Sequence, residues 1–342
     1  MGTAIGSLIE KKVVDFPDLK NKIIGIDSYN IFYQFLTIIR GPDGTPLMNQ
    51  SGEVTSHLSG LLYRTSRLLE NDIKPFFVFD GKPHKLKSRT IDARNKIRDE
   101  AKTTFEKARA EGDFEKAKSF AQRSVRMTDD VLKSGKTLIE LMGLPIVQAP
   151  CEGEAQMSWM VDENKAFAGL SQDYDCLLFG GKRLLRNLTI TGKRKLPGRQ
   201  AFIEVKPELI ELSDALKQLD ISREKLIWLG ILIGTDFNEK FPKVGPKTAL
   251  KLVQEFNDFD DIIKKTGFTP KFDYKEIQEI FLKPEHSDEF DLTWKKPDAP
   301  KIVEFLVEQH SFSRERIESV VNKWVEREKE KSSQKSLFGS WS

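Results

Sequence analysis

The apolar runs of this chain end on acids. Ile23-Ile24-Gly25-Ile26 runs into Asp27, and Phe76-Phe77-Val78-Phe79 runs into Asp80. Glu152 and Glu154 follow Leu144-Pro145-Ile146-Val147-Gln148-Ala149-Pro150, Asp173 and Asp175 follow Ala166-Phe167-Ala168-Gly169-Leu170, and Asp236 follows Trp228-Leu229-Gly230-Ile231-Leu232-Ile233-Gly234. Short apolar runs of this kind read as buried strands, and the last of them as helical core. The expected fold is therefore α/β, with a mostly parallel central sheet flanked by helices. In such a sheet the carboxyl ends of the strands share one edge, where α/β proteins bind ligands. Seven carboxylates gathered there repel one another and retain protons unless a positive charge intervenes. A hard divalent cation that prefers oxygen, such as Mg²⁺, meets that demand.

The chain of 342 residues can bury a sizeable core and hold more than one domain. Its 55 basic and 52 acidic residues leave a formal net charge of +3. If seven acids are drawn into a metal site, the remaining surface is basic, which suits a polyanionic substrate. Four histidines and the lack of a nucleophile elbow argue against Ser-His-Asp chemistry. Cys151 and Cys176 cannot build a disulfide framework, and no His or further Cys stands at zinc spacing, so buried, reduced thiols are expected. No apolar stretch is long enough to span a membrane and the start lacks a signal-peptide pattern, so an intracellular protein is expected.

Residues 1 to 80 alternate strand and helix, with a turn at Gly41-Pro42-Asp43-Gly44-Thr45-Pro46. Residues 82 to 136 change character: Lys82, Lys85, Lys87, Arg89, Arg94, Lys96, Arg98 and Lys102 recur, and Ala93, Ile97, Ala101, Phe105 and Ala108 make only a narrow helical stripe. That pattern predicts an exposed, mobile helical insertion placed directly after Asp80. Alternation returns from 137 to 260, with Lys193-Arg194-Lys195 in a polar hairpin or connection. Residues 259 to 331 read as mainly helical and 332 to 342 as a flexible tail.

The pairs Glu152/Glu154 and Asp173/Asp175 are spaced by two, which in mid-helix would not put them on one face. At a helix start or in a loop leaving a strand, both members can reach one centre. Such a cluster suits two-metal hydrolysis of a phosphodiester, in which one metal activates water and the other stabilises the leaving oxygen. Lys87 and Arg94, seven apart, share a face on the expected helix and can meet one scissile phosphate. Val244-Gly245-Pro246-Lys247 reads as a tight turn opening a helix, whose backbone N–H groups bind phosphate without reading sequence. Gln334, Leu337, Phe338 and Trp341 on the tail suit a short peptide that docks into a hydrophobic pocket.

Taken together and in order, these motifs resemble the flap endonucleases of the structure-specific 5′ nuclease superfamily. The residues that carry the resemblance are Ile26-Asp27, Phe77-Val78-Phe79-Asp80-Gly81-Lys82-Pro83, Ala149-Pro150-Cys151-Glu152-Gly153-Glu154-Ala155-Gln156, Ser171-Gln172-Asp173-Tyr174-Asp175, Gly234-Thr235-Asp236-Phe237 and Val244-Gly245-Pro246-Lys247. The match spans nearly the whole chain. It implies a PIN-like nuclease core, with an N-terminal region over 1–98, a helical arch over 82–136 and an internal region over 116–258. A helix–two-turn–helix around 228–256, a C-terminal helical region over 259–331 and a clamp-binding tail over 332–342 complete the implied plan.

The resemblance further implies that Asp27, Asp80, Glu152, Glu154, Asp173, Asp175 and Asp236 ligate two Mg²⁺, with Mn²⁺ as a substitute. Lys87 and Arg94 contact the scissile phosphate. Gly2, Tyr33, Arg40, Thr55, Gly245 and Lys247 contact DNA, and K⁺ binds at the helix–two-turn–helix. The activity implied is 5′ flap cleavage with 5′–3′ exonuclease action, in Okazaki fragment maturation and repair. The implied partners are branched DNA and the sliding clamp PCNA, for a protein that is monomeric on its own. The tail departs from the clamp-binding pattern, because Ser340 stands where the first of two adjacent aromatics is usual. The basic extension of eukaryotic members is absent, so an archaeal, cytoplasmic form is expected. Competing expectations are a 5′ exonuclease or bubble-cutting repair nuclease, and a non-catalytic scaffold tethered to the clamp at DNA junctions.

Overall fold

The computed structural model describes residues 3–41, 43–190, 192–195 and 202–339. After β1 (Lys12–Val13) come β2 (Ile23–Asp27), α1 (Ser28–Ile38), α2 (Ser56–Glu70) and β3 (Lys74–Phe79). A 3₁₀ turn at Lys85–Lys87 leads into α3 (Ser88–Ala110), α4 (Phe114–Arg123) and α5 (Asp129–Leu141). Next are β4 (Ile146–Gln148), α6 (Gly153–Asp162), β5 (Ala168–Leu170), α7 (Asp175–Leu178) and β6 (Arg183–Arg186). A hairpin of β7 (Gly192–Lys195) and β8 (Phe202–Val205) is followed by β9 (Glu208–Glu211), α8 (Leu212–Leu219), α9 (Arg223–Ile233) and α10 (Pro246–Glu255). The last helices are α11 (Phe259–Thr266), α12 (Tyr274–Leu282), α13 (Ala299–Val303) and α14 (Arg314–Gly339), with a π-helical turn at Glu304–Gln309 between the final two. Helix α14 thus runs through residues 332–339, beyond the end expected at Lys331.

Two compact units interleave along the chain. The first comprises Met1–Ile31, Asp72–Lys96 and Val147–Phe290, and the second Phe32–Asn71, Ile97–Ile146 and Asp291–Ser342.

The first unit is built on a sheet of strand order β1-β9-β6-β5-β2-β3-β4. β2 pairs in parallel with both β3 and β5, and β5 with β6, while β9 runs antiparallel to β6 and β1. The mostly parallel core matches the run composition: Ile24, Ile26, Phe76, Phe77, Val78 and Phe79 are all buried, as strands covered on both faces must be. From β2 the chain moves outward through β3 and β4, then returns to the opposite side of β2 with β5. The carboxyl ends of β2 and β5 therefore flank a topological switch point, the usual place for a ligand crevice in such sheets.

Helix α9 is apolar almost all round, with Leu226, Ile227, Leu229, Ile231 and Leu232 buried. It packs against α10 and α12. Around Phe241 an edge-on aromatic cluster with Phe259 and Phe268 ties the segment between α9 and α10 to the helix that follows. Edge-to-face rings of this kind add about 1 kcal/mol each beyond the area they bury.

The second unit is helical. Helices α2, α5, α13 and α14 pack on one another, and Leu61, Leu138, Ile302, Leu306 and Ile317 are buried. The stripe expected on α3 is partly buried here: Ala101 and Ala108 are buried, and Ile97 is exposed. Helix α4 adds the buried residues Ala117 and Ala121.

Candidate active site

Each acid pair reaches the carboxyl edge of the sheet by a different local device. Asp27 is the last residue of β2, and Asp80 follows β3 directly. Glu152 is the N-cap residue of α6 and Glu154 lies in its first turn. Asp173 sits in the loop after β5, and Asp175 opens α7. Asp236 lies in the turn after α9. Spacing by two therefore works as anticipated at a helix start, where both carboxylates also meet the positive end of the helix dipole.

Close backbone packing holds the ends of β3 and β4 together. Gly81 N–H donates to the Cys151 carbonyl at 2.7 Å, and a Cβ on Gly81 would fall 2.3 Å from the carbonyl oxygens of Ala149 and Pro150. Gly153 N–H donates to Asp80 Oδ1 at 2.7 Å, at a point where a side chain on Gly153 would meet that same oxygen. Both positions need glycine because backbone or carboxylate occupies the space of a Cβ.

A second set of bonds fixes the β2 and β5 ends. Asn30 N–H donates to Asp27 Oδ1 at 3.0 Å, and the Asn30 side-chain amide donates to Asp173 Oδ2 at 3.1 Å. Ser171 Oγ donates to Glu154 Oε1 at 2.9 Å, lies 3.3 Å from Asp27 Oδ2, and accepts from Asp173 N–H at 3.1 Å. Thr3 gives both its N–H and its hydroxyl to Asp175 Oδ1, at 2.7 and 2.5 Å. The turn carrying Asp236 is knotted by Asn238, which accepts from Thr235 Oγ1 and donates to the carbonyls of Ile231 and Glu239.

The basic residues expected at the scissile phosphate lie on these acids. Lys87 Nζ pairs with Glu152 and stands 3.4 Å from Asp236 Oδ2. Arg94 engages both Asp236 oxygens, at 2.5 and 3.3 Å. Lys87 belongs to the 3₁₀ turn and Arg94 to α3, so they do not share one regular helix as their spacing predicted. They nonetheless converge on Asp236.

The electrostatics follow from burial. Burial, and then Asp80, push the Asp27 carboxyl up to about 8. Burial and Glu152 raise Asp80 to about 6, and burial and Asp236 raise Asp175 to about 6. Glu154 is raised by burial and by Asp175. At Asp236 burial also pushes upward, but Lys87 and Arg94 outweigh it and hold the carboxyl below its ordinary value. Burial alone would lower the Lys87 ammonium, yet Glu152 and Asp236 raise it instead.

Asp27, Asp80, Glu154 and Asp175 are thus all raised by burial and by neighbouring carboxylates, as crowded acids are, and a hard cation would relieve that crowding. Among the described residues no group of three or more His, Cys, Asp and Glu side chains forms a ready metal shell. The donor chemistry fits a divalent metal all the same, and the carboxylates now meet Lys87, Arg94, Thr3, Asn30, Ser171 and the Gly153 N–H, among other groups.

These shifts carry a pH signature. Asp27, Asp80, Glu154 and Asp175 bind protons in the fold at pH values where the unfolded chain has released them. The stability that these four groups contribute is therefore full below the ordinary carboxylate range and is lost as pH rises towards about 8, while Asp236 contributes in the opposite sense. In EDTA the melting temperature is expected to fall between about pH 5 and about pH 8, Mg²⁺ is expected to restore it, and Asp27→Asn is expected to reduce the slope. Melting curves in which the variant and the parent share the same slope would contradict the shift at Asp27.

Both cysteines are free, with Cys176 buried and Cys151 half-buried rather than buried as expected. Their thiols lie against Glu154 and Glu152, at 3.6 and 3.8 Å, and burial raises both, Cys151 to about 11.

The remaining expected contacts fall elsewhere. Gly245 is the N-cap of α10 with open space around its Cα, and Lys247 is exposed in the first turn. Tyr33, Arg40 and Thr55 belong to the second unit. The Arg98 guanidinium lies 5.0 Å from the Tyr33 ring centre. Arg40 donates to the carbonyls of Leu36 and Gly44, at 2.8 and 2.7 Å, and Thr55 is buried. Gly2, Trp341 and the side chains of Gln334, Leu337 and Phe338 lie outside the described residues.

Residues 4–101 match the XPG N-terminal domain and residues 143–236 the XPG I-region. The flap endonuclease 1 of Staphylothermus marinus is 48% identical over 345 residues, covering 98% of each chain. The chain belongs to the flap endonuclease 1 family. The structure of flap endonuclease-1 from Methanococcus jannaschii superimposes with a TM-score of 0.76 at 41% identity, covering 94% of this chain and 98% of that one. The catalytic core of Rad2 in complex with a DNA substrate shares the fold, with a TM-score of 0.69 at 21% identity over 95% of this chain and 100% of that one. Family membership makes this a metal-dependent nuclease with a mostly parallel central sheet, as the acid-ended runs suggested. Sequence alone assigned no role to Asn30, Thr3 or Asn238, and it offered Ser171 only as part of the Ser171-Gln172-Asp173-Tyr174-Asp175 motif; Thr3 lies 172 residues from its partner and carries no local signal.

Proposed function

We propose that this protein is a structure-specific 5′ flap endonuclease with 5′–3′ exonuclease action, cutting DNA near the single-strand/duplex junction in replication and repair. The observation that carries this reading is that five separate chain segments bring carboxylates to one sheet edge, with Lys87 and Arg94 on Glu152 and Asp236. Asp27, Asp80, Glu152, Glu154, Asp173, Asp175 and Asp236 would hold two Mg²⁺, with Mn²⁺ as a substitute. When bound, such a pair supplies an activated water and charge neutralisation at the leaving oxygen.

The chain's own residues do the rest. Lys87 and Arg94 exchange their carboxylate partners for the scissile phosphate and neutralise its charge. The N-terminus of α10, with Gly245 and Lys247, grips the duplex backbone without reading its sequence, and K⁺ there would strengthen the grip. Gly2, Tyr33, Arg40 and Thr55 contribute further DNA contacts. Gln334, Leu337, Phe338 and Trp341 engage a PCNA-type clamp, and the protein acts as a monomer before it does so. Similarity to flap endonucleases of Staphylothermus marinus and Thermococcus onnurineus supports the cytoplasm of an archaeal cell as its location. No helix among the described residues is long and apolar enough to cross a membrane.

The test is a panel of end-labelled 5′ flap, nicked, bubble and single-stranded DNA, in Mg²⁺ and in EDTA. Mg²⁺-dependent products from the flap near its junction are expected. Binding of the flap without any product in Mg²⁺ would leave a non-catalytic scaffold, and single-nucleotide products alone would leave an exonuclease.

A further inference from the structure

Asp175 receives two hydrogen bonds from a residue at the far end of the sequence. Thr3 is 1% exposed, and both its donors fall on the same oxygen, Oδ1. The segment is clamped in place around it. Ile5 N–H donates to the Thr3 carbonyl at 2.9 Å, and Ile5 is fully buried. At Gly6 an added Cβ would lie 2.2 Å from the Tyr174 hydroxyl, so the segment packs directly on the loop that carries Asp175. That hydroxyl is itself held by Arg186 at 2.5 Å. The other arm of Thr3 points to packing: its Cγ2 methyl lies 3.6 Å from where a side chain on Gly230 of α9 would begin. The threonine fork thus serves two purposes, with its methyl against α9 and its hydroxyl on Asp175.

We infer that Thr3 is a positioning residue for Asp175 that orients this carboxylate as a metal ligand, an inference that rests on the metal-holding role proposed above. Two donors on Oδ1 fix the plane of the carboxylate and leave Oδ2 as the oxygen those bonds do not engage. Donors behind a ligating group fix its orientation and tune its affinity, and their loss typically weakens metal binding by about 10–100-fold. A purely structural role would instead show as lost stability with metal affinity unchanged.

The test measures Mn²⁺ binding to the full-length, DNA-free protein by electron paramagnetic resonance of the free ion. Thr3→Val keeps the shape and the methyl but removes the hydroxyl, while Thr3→Ser keeps the hydroxyl and removes the methyl. Thr3→Val is expected to bind Mn²⁺ about 10-fold more weakly and Thr3→Ser within about twofold of the parent. In turnover, the Mg²⁺ concentration for half-maximal rate should shift in the same order while KM for DNA holds. Asp175→Ala serves as the reference. If it binds Mn²⁺ as the parent does, the metal role of Asp175 fails and the inference fails with it. If Asp175→Ala weakens binding but Thr3→Val does not, the inference about Thr3 alone is overturned.

Discussion

Replacing Asp175 with alanine is expected to slow flap cleavage in Mg²⁺ by at least about 10³-fold while leaving flap binding close to that of the parent. The reasoning is electrostatic. Asp175 is buried beside Asp236, and its carboxyl is raised to about 6 by burial and by that neighbour. Above about pH 6 it is an anion in a site that must approach a polyanion, so its removal relieves repulsion and does not weaken DNA binding. On the metal-holding role proposed above, what is lost is one ligand for the cation. Binding measured in Ca²⁺ and single-turnover cleavage measured in Mg²⁺ separate the two effects. Cleavage within tenfold of the parent would remove Asp175 from the metal site.

Lys87→Ala is expected to lower cleavage by about 10²–10³-fold, and Arg94→Ala by a similar factor, because each removes a preorganised positive charge from the phosphate that is cut. The structure adds a second expectation. Lys87 and Arg94 neutralise Asp236 and Glu152 in the DNA-free protein. Removing one partner of a largely buried pair leaves a charge without compensation, which costs about 3 kcal/mol. Lys87→Ala should therefore melt lower than the parent in EDTA, and Mg²⁺ should recover most of that loss by replacing the missing cation. A variant that cleaves within threefold of the parent would show that Lys87 is only an apo-state counter-ion. One that melts normally in EDTA would show that its pairing with Glu152 contributes little.

The clustered carboxylates were readable because two local rules coincide on them. A buried parallel strand has to be apolar along its length, so the first polar residues after it mark its end. Strand ends meet at one edge, so those residues become neighbours without any pairwise signal. The same logic placed Gly245 at a helix start, since Pro246 at the first helical position is a local preference. Lys87 illustrates where local rules stop. Its spacing from Arg94 suggested a common helical face, but His84 accepts from Leu86 N–H and closes a 3₁₀ turn instead. The setting of Arg40 was likewise not legible: it donates to the carbonyls of Leu36 and Gly44, which the surrounding loop brings within reach.

Sequence alone determined the α/β core, the seven acids at its edge and the basic stretch that follows Asp80. These are properties of runs and neighbours, since apolar runs have to be buried and the acids that end them stay at the edge of what is buried. Tertiary structure decided which groups hold those acids in place. Thr3 on Asp175 and Asn30 on Asp173 join segments 172 and 143 residues apart in the chain. Such bonds depend on where the backbone brings a donor within about 3 Å of an acceptor. No periodicity or spacing encodes that distance, so it is settled only when the whole unit has folded.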